Sequence, residues 1–187
     1  MKKFYWSFFL LIGCVGIFYC SNGQSSSSPS AAQKIIIIRH GEKPDEGDNL
    51  SCQGFNRALQ LPAVLNKKFG VPAFIYVPSI NTGKNTSTAR MYQTVMPFAI
   101  KYNLPVNTKY DVDDAEGLAQ SILKKGGTTL VVWEHKAINN ITKALGVEEK
   151  VKWENDDFDS IWIVTIENGR AKLTRDKEAL SPAAACQ

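Results

Sequence analysis

Four consecutive isoleucines at residues 35–38 constrain the fold of this 187-residue chain more than any other feature. Four apolar residues without alternation predict a strand that is buried on both faces, as in a parallel sheet. The tetrapeptide Arg39-His40-Gly41-Glu42 follows directly. Because ligands of open α/β sheets bind at the carboxyl ends of the strands, we expect Arg39 and His40 to lie at a functional site.

Short apolar segments alternate with segments of helical periodicity along the rest of the chain. This alternation favours an α/β fold in which helices cover both faces of a mostly parallel central sheet, a three-layer α/β/α sandwich. Pro62 lies inside the first helical segment and is expected to break or kink the helix, and Pro97 lies inside the second. The later strands are predicted at residues 74–77, 130–133 and 161–166, and the helices at 54–66, 88–102, 114–125 and 137–145.

Arg39 and His40 combine two groups suited to phosphoryl chemistry. A guanidinium can bind two phosphate oxygens at once, because its N–H donors form a planar fork. A neutral imidazole nitrogen can attack phosphorus and carry the phosphoryl group. Gly41 then allows the backbone to turn tightly and to approach a ligand closely.

Four segments of the chain resemble the histidine phosphatase superfamily, which is also called phosphoglycerate mutase-like. They follow the order of that family's motifs, and the resemblance runs from about residue 34 to residue 166. The segments are Arg39-His40-Gly41-Glu42-Lys43-Pro44, residues 50–58 at the start of the first helix, Ala89-Arg90-Met91-Tyr92-Gln93-Thr94, and Trp133-Glu134-His135.

The resemblance implies a phosphatase that hydrolyses phosphate monoesters through a phosphohistidine intermediate on His40. Arg39 and Arg90 would bind the phosphate, and protonated His135 would help them to neutralise its charge in the transition state. Glu42 is expected to bond backbone or partner side chains, and Lys43 to lie at the rim of the pocket. The implied substrate-binding residues are Arg39, Arg90, His135, Glu42 and Lys43.

The leaving alcohol needs a proton donor, and Glu134 is the first candidate because it adjoins His135. In another branch of the family the acid follows the second histidine, whereas Glu134 precedes it. Neighbouring strand residues point to opposite faces, so this order leaves rival acids open. The rivals lie before the third predicted strand, where helix capping is the alternative role: Asp111, Asp113, Asp114 and Glu116.

The sequence predicts neither a metal site nor a cofactor. The two histidines are far apart along the chain, and no Cys or His pair has the spacing of a zinc site. The formal net charge is only +4 and there is no long block of Lys or Arg, so nucleic acid is not an expected partner. The expected partner is a small phosphorylated substrate, and the sequence does not indicate an oligomeric state.

The first residues predict export to the periplasm or cell envelope. Lys2 and Lys3 precede an apolar stretch, and a Ser-rich segment follows it. The chain therefore divides into a signal or lipoprotein leader (1–23), a linker (24–33), a histidine phosphatase-like domain (34–170) and a C-terminal tail (171–187). Any contact with a membrane would be through the leader or through a lipid on Cys14 or Cys20, which leaves both modes of attachment open.

Cys52 and Cys186 remain outside the leader. An oxidising compartment would permit them to pair, but two distant cysteines do not reveal pairing, and we expect one partly buried and one terminal free thiol. Two alternative functions also stay open at this point. One is an exported domain that binds a phosphorylated ligand without turnover, and the other is a phosphatase acting on protein phosphohistidine.

Overall fold

The computed structural model of the chain describes Met1, Lys3 and residues 32–80 and 89–186. The predicted export leader with Cys14 and Cys20, and most of the Ser-rich linker, lie outside the described residues. Among the described residues, no helix is both long enough and apolar enough to cross a bilayer.

Within the described residues, six strands form one mixed sheet: β1 (Gln33–Arg39), β2 (Phe74–Tyr76), β3 (Val106–Asn107), β4 (Thr128–Trp133), β5 (Ser160–Glu167) and β6 (Arg170–Lys177). Their spatial order is β3-β2-β4-β1-β5-β6. The first four strands are mutually parallel, whereas β5 runs antiparallel to β1, and β6 antiparallel to β5. The predicted, mostly parallel sheet is therefore confirmed.

In the part of the chain that the structure describes, four helices cover the two faces of the sheet: α1 (Cys52–Phe69), α2 (Ala89–Tyr102), α3 (Ala115–Lys125) and α4 (His135–Ala144). Ile36 and Ile38 pack with side chains of α1 and α2 on one face. Ile35 and Ile37 pack with side chains of α3 and α4 on the other face. All four isoleucines are buried, as the absence of alternation predicted, and the architecture is the expected three-layer sandwich.

Of the predicted break or kink at Pro62, the break does not occur, because α1 continues through it, and α2 continues through Pro97. A proline removes one backbone hydrogen bond from a helix interior. In α1 the flanking Leu61 and Leu65 are almost completely buried. Their burial stabilises the helix on the sheet and offsets the lost bond.

Two strands, β3 and β6, were not predicted from the sequence. β3 has only two residues, too few for a periodic signal. β6 alternates charged and apolar residues without an apolar run, because it is an edge strand with its side chains largely exposed. Residues 171–187, predicted as a tail after the domain, therefore begin within the sheet.

A disulfide joins Cys52 to Cys186, so the expectation of two free thiols is wrong. The cysteines are 134 residues apart in sequence, but the segment after β6 returns to the start of α1. There the side-chain amide of Asn56 donates hydrogen bonds to the carbonyls of Ala183 (2.9 Å) and Ala185 (2.8 Å). These contacts hold the end of the described chain against the helix that follows the His40 loop.

Removal of this disulfide should lower the free energy of unfolding by about 2–5 kcal/mol, since the bond closes a long loop in the unfolded chain. Urea denaturation of a Cys52→Ser/Cys186→Ser double variant, compared with the oxidised wild type, measures the change. Dithiothreitol should shift the wild-type midpoint towards that of the variant and leave the variant unchanged. Equal midpoints for oxidised and reduced wild type would show that the bond contributes nothing.

Candidate active site

The candidate site lies where β1 and β4 end side by side. Arg39 is the register partner of Trp133 in the parallel ladder. The backbone N–H of His40 then donates to the Trp133 carbonyl (3.2 Å). The fold therefore brings His40 next to Glu134 and His135, which are distant in sequence.

His40 has a fixed ring orientation. Its Nδ1 lies 2.7 Å from the carbonyl oxygen of Gly41. Because a carbonyl oxygen only accepts, Nδ1 carries a proton, and Nε2 is the ring nitrogen that faces Glu134. The residue is almost fully buried, at 2% exposure, so the ring cannot easily turn to another partner.

The backbone after His40 is held by α1 and α2. The N–H of Gly41 donates to the hydroxyl of Thr94 (2.9 Å), which itself donates to the Arg90 carbonyl (2.8 Å). A Cβ on Gly41 would lie 2.9 Å from the carbonyl oxygen of Gly54. Glycine is therefore required here by the close approach of the helix to the loop.

The sequence predicted Glu42 as a substrate-binding residue, but in the structure its carboxylate faces Arg57. Its carboxylate accepts hydrogen bonds from Arg57 at 2.7–3.1 Å. Arg57 also bonds Glu178, at 2.6 Å, and burial raises the pKa of Glu178 to about 7 although Arg57 opposes this. The prediction that Glu42 bonds a partner side chain is thus confirmed. The ion pair with Arg57 stabilises the loop that follows His40.

The Arg39 guanidinium is held by hydrogen bonds on one side and has an unpaired N–H donor on the other. Its Nη1 donates to the Asn155 carbonyl (2.7 Å), and its guanidinium lies over the Phe158 ring, 3.7 Å from the centroid. Its Nη2 lies 3.2 Å from His135 Nδ1, and its buried Nε has no partner. Nε–H and one Nη2–H point in the same direction, so this edge of the guanidinium suits an oxyanion. Burial lowers the pKa of Arg39 to about 10, which leaves it charged at neutral pH.

Glu134 is the N-cap of α4 and lies between the two histidines. Its Oε2 is 3.3 Å from His40 Nε2, and its Oε1 is 2.6 Å from His135 Nδ1. Burial raises the pKa of Glu134, but the hydrogen bond and charge of His40 outweigh burial and lower it to about 2. The carboxylate is therefore ionised in the free protein and contacts both imidazoles.

His135 is the first residue of α4 and is tied to the loop between α4 and β5. Its Nε2 lies 3.0 Å from Asn155 Oδ1, so Nε2 carries a proton that Asn155 accepts. Burial, together with the charge of Arg39, lowers the pKa of His135. Nδ1 has one position for a proton, so it either accepts from Arg39 or donates to Glu134.

Arg90 lies near the start of α2, half-buried, and binds the loop that follows His40. Its guanidinium donates to the carbonyls of Gly47 (2.9 Å) and Asn49 (3.2 Å) and lies 3.7 Å from an Asp48 oxygen. The structure does not bring it into contact with His40 within the described chain. Lys43 is exposed in the same loop.

The rival acids lie away from His40. Asp114 caps α3 by accepting from the Gly117 N–H (2.9 Å), as the capping alternative predicted. Asp111 accepts from the Ser79 hydroxyl. Asp113 and Glu116 line a surface cavity between α3 and α4. Among the described contacts, Glu134 is the carboxylate that reaches His40.

Two residues at the site gave no signal in the sequence. Asn155 binds both Arg39 and His135, and Phe158 covers the guanidinium and presents an edge to the His40 ring (centroids 6.4 Å apart). They lie in an irregular polar loop that has no motif. Only the juxtaposition of β5 with β1 places this loop at the site.

The nitrogens of His40 and His135 and a Glu134 oxygen lie within 4.8 Å of one another, a spacing that a metal ion can bridge. The sequence argument against a metal site depended on separation along the chain. The fold removes that separation, because His40 and His135 follow adjacent strands.

Comparison with known proteins finds similarity in structure alone. No protein-family model and no curated protein sequence matches the chain. The protein histidine phosphatase SixA, solved with tungstate, is 14% identical, has a TM-score of 0.60 and aligns over 78% of this chain and 97% of its own. A phosphoserine phosphatase mutant from Entamoeba histolytica, in complex with phosphoserine, is 13% identical, with a TM-score of 0.54 over 78% and 96% of the two chains.

Phosphoglycerate mutase from Bacillus anthracis is also similar, with 13% identity and a TM-score of 0.51 over 78% of this chain and 92% of its own. The motifs resemble the histidine phosphatase superfamily, and these three neighbours are a protein histidine phosphatase, a phosphoserine phosphatase and a phosphoglycerate mutase. At this level of identity the likeness establishes the fold, which is that of phosphoglycerate mutase and its relatives.

Proposed function

We propose that this protein is a phosphatase that forms a phosphohistidine on His40. The observation that carries the proposal is the hydrogen bond from His40 Nδ1 to the Gly41 carbonyl, which leaves Nε2 as the ring nitrogen on the side of Glu134, 3.3 Å from its Oε2. Arg39 Nε is a buried donor that needs an acceptor, and a phosphate oxygen can supply one. The likeness to two phosphatases supports the proposal at the level of the fold.

In the first step, His40 Nε2 attacks phosphorus. A P–N bond forms, the P–O bond to the alcohol breaks, and the alcohol leaves with a proton. Arg39 and His135 face the charge that spreads over the equatorial oxygens. Arg90 could join them only if its side chain left the carbonyls of Gly47 and Asn49, so its binding role is part of the proposal.

Phosphate binding would also prepare the proton donor. In the free protein Glu134 is ionised and in contact with both histidines. A phosphate dianion at His40 displaces the carboxylate from Nε2 and adds negative charge beside it, and both changes raise the pKa of Glu134. The carboxyl group can then take up a proton and deliver it to the leaving oxygen.

In the second step, water attacks the phosphohistidine. The P–N bond breaks, a new P–O bond forms, and Glu134, now a carboxylate, takes the proton that water loses. His40 returns to its neutral form and inorganic phosphate leaves. Neither of these two steps requires a metal ion.

Protein phosphohistidine is the second candidate substrate. The likeness to the protein histidine phosphatase SixA favours it, since that structure has the higher TM-score of the two phosphatases compared. A site in which substrate phosphorus moves from one imidazole to another would need no strong acid, because protonated imidazole is a good leaving group.

Export remains part of the proposal. The Cys52–Cys186 disulfide supports it, because such bonds persist in the periplasm or outside the cell and are rare in the cytosol. The leader of residues 1–23 supports it independently.

Trapping of the intermediate tests the mechanism directly. Wild-type protein mixed with labelled aryl phosphate and then denatured should retain label that is stable in base and lost in acid, as expected of a phosphoramidate. Label that survives acid and is lost in base would indicate an acyl phosphate on a carboxylate. Hydrolysis without any trapped label at all substrate concentrations would favour direct attack by water.

A further inference from the structure

We propose that His40, Glu134 and His135 form a binding site for a divalent transition-metal ion, best suited to Zn²⁺, and that the bound ion blocks the phosphatase site. The inhibitory effect relies on the proposed function, whereas the metal site itself does not. The ion would bind where the phosphate binds and would use the nucleophile as a ligand.

The geometry is close to that of a three-ligand zinc site. With Zn–N and Zn–O bonds near 2.0–2.1 Å, the ligand atoms of a tetrahedron lie about 3.3 Å apart. His40 Nε2 and Glu134 Oε2 already have a separation of 3.3 Å. The three ligand atoms lie within 4.8 Å of one another.

The outer hydrogen bonds also match those of metal-binding histidines. Such residues donate their second ring N–H to a carbonyl or carboxylate, which directs the other lone pair at the metal. His40 donates Nδ1–H to the Gly41 carbonyl (2.7 Å). His135 donates Nε2–H to Asn155 Oδ1 (3.0 Å). The other ring nitrogens, His40 Nε2 and His135 Nδ1, both face the Glu134 carboxylate, at 3.3 Å and 2.6 Å.

Arg39 opposes the site, because its Nη2 lies 3.2 Å from the Nδ1 that would bind the metal. Nη1 is fixed by backbone carbonyls, so the guanidinium cannot move far away. Because the guanidinium repels a metal cation, we expect the ion to bind reversibly and phosphate to displace it, unlike a permanent structural ion.

Metal titration of the full chain tests the proposal without any need for turnover. Zn²⁺ binding is measured by calorimetry, and Co²⁺ binding by the visible absorption of a four-coordinate ion with nitrogen ligands. We expect one site per chain, lost in His135→Ala and weakened by inorganic phosphate. Asn155→Ala should weaken binding about 10–100-fold, because Asn155 orients His135. Asn140→Ala, an exposed change on α4, is the matched control and should bind as wild type.

Hydrolysis assays then test the inhibition. Zn²⁺ should inhibit nitrophenyl phosphate hydrolysis competitively, and EDTA should restore or raise the rate. Zn²⁺ binding that is equal in wild type and His135→Ala, or that phosphate tightens, would overturn the proposal. Hydrolysis that EDTA abolishes and Zn²⁺ restores would also overturn it, since the ion would then be an activator. Metal binding with no hydrolysis of any phosphate ester would contradict the proposed function and leave the metal site intact.

Discussion

Replacement of His40 by alanine should lower the turnover of nitrophenyl phosphate by about 10³-fold or more, because a covalent mechanism has no alternative nucleophile at this position. Steady-state hydrolysis by the purified wild type and variant measures the ratio. The variant should also give no trapped phosphoenzyme, since the P–N bond cannot form.

The control for this variant is its folding. His40 is buried and bonded to Gly41, so its loss could disturb the loop as well as the chemistry. Thermal unfolding and circular dichroism should show a folded variant, held by the contacts of Gly41 with Thr94 and by the Cys52–Cys186 bond. A folded variant that retains near wild-type turnover would exclude His40 as the nucleophile.

The sequence could predict the parts of the fold that depend on local chemistry. Residues 35–38 form a strand buried on both faces, because each isoleucine must pack against helices on one side or the other. The site at the end of this strand follows from the same argument, since parallel strands bring their carboxyl ends to one edge. To predict that His135 lies beside His40, the order of the strands in the sheet must be known. The sequence alone does not give this order, and the family resemblance supplied it.

The features that could not be predicted depend on contacts between distant segments. Asn155 is functional only because the antiparallel β5 returns its preceding loop to the end of β1. Cys186 pairs with Cys52 only because β6 and the following segment run back over α1. Neither contact leaves a periodic or compositional signal, and the charged residues of β6 are typical of an exposed edge.

The contacts of the Arg90 side chain were not predicted from the sequence motif that contains it. The segment containing it lies beside His40, since Thr94 of the same helix bonds Gly41. The Arg90 side chain, however, binds backbone carbonyls of the loop after His40. Free carbonyls are present in any irregular loop, so no residue pattern distinguishes this arrangement from a direct contact with phosphate.

Replacement of Glu134 by glutamine should separate substrates by their leaving groups. An alkyl alcohol needs a proton as it leaves, whereas nitrophenolate does not, so the variant should lose about 10²–10⁴-fold with alkyl phosphates and much less with nitrophenyl phosphate. Glutamine preserves the shape of the side chain and can still accept from the Lys136 N–H at the start of α4. The two rate ratios, measured on one preparation, give the contrast.

The same substitution at the four rival acids provides the control, because each is a carboxylate near the carboxyl edge of the sheet or on α3. Asp114 caps α3, so its amide variant should alter stability more than the leaving-group contrast. If one of the four variants shows the leaving-group-dependent loss while Glu134→Gln behaves as wild type, the donor belongs to the segment before β4. If no variant shows it, and wild type still cleaves alkyl phosphates, water supplies the proton. Glu134 would then serve only as the anion that occupies the two histidines until phosphate arrives, and Glu134→Gln should bind inorganic phosphate more tightly than wild type. The four rival variants are Asp111→Asn, Asp113→Asn, Asp114→Asn and Glu116→Gln.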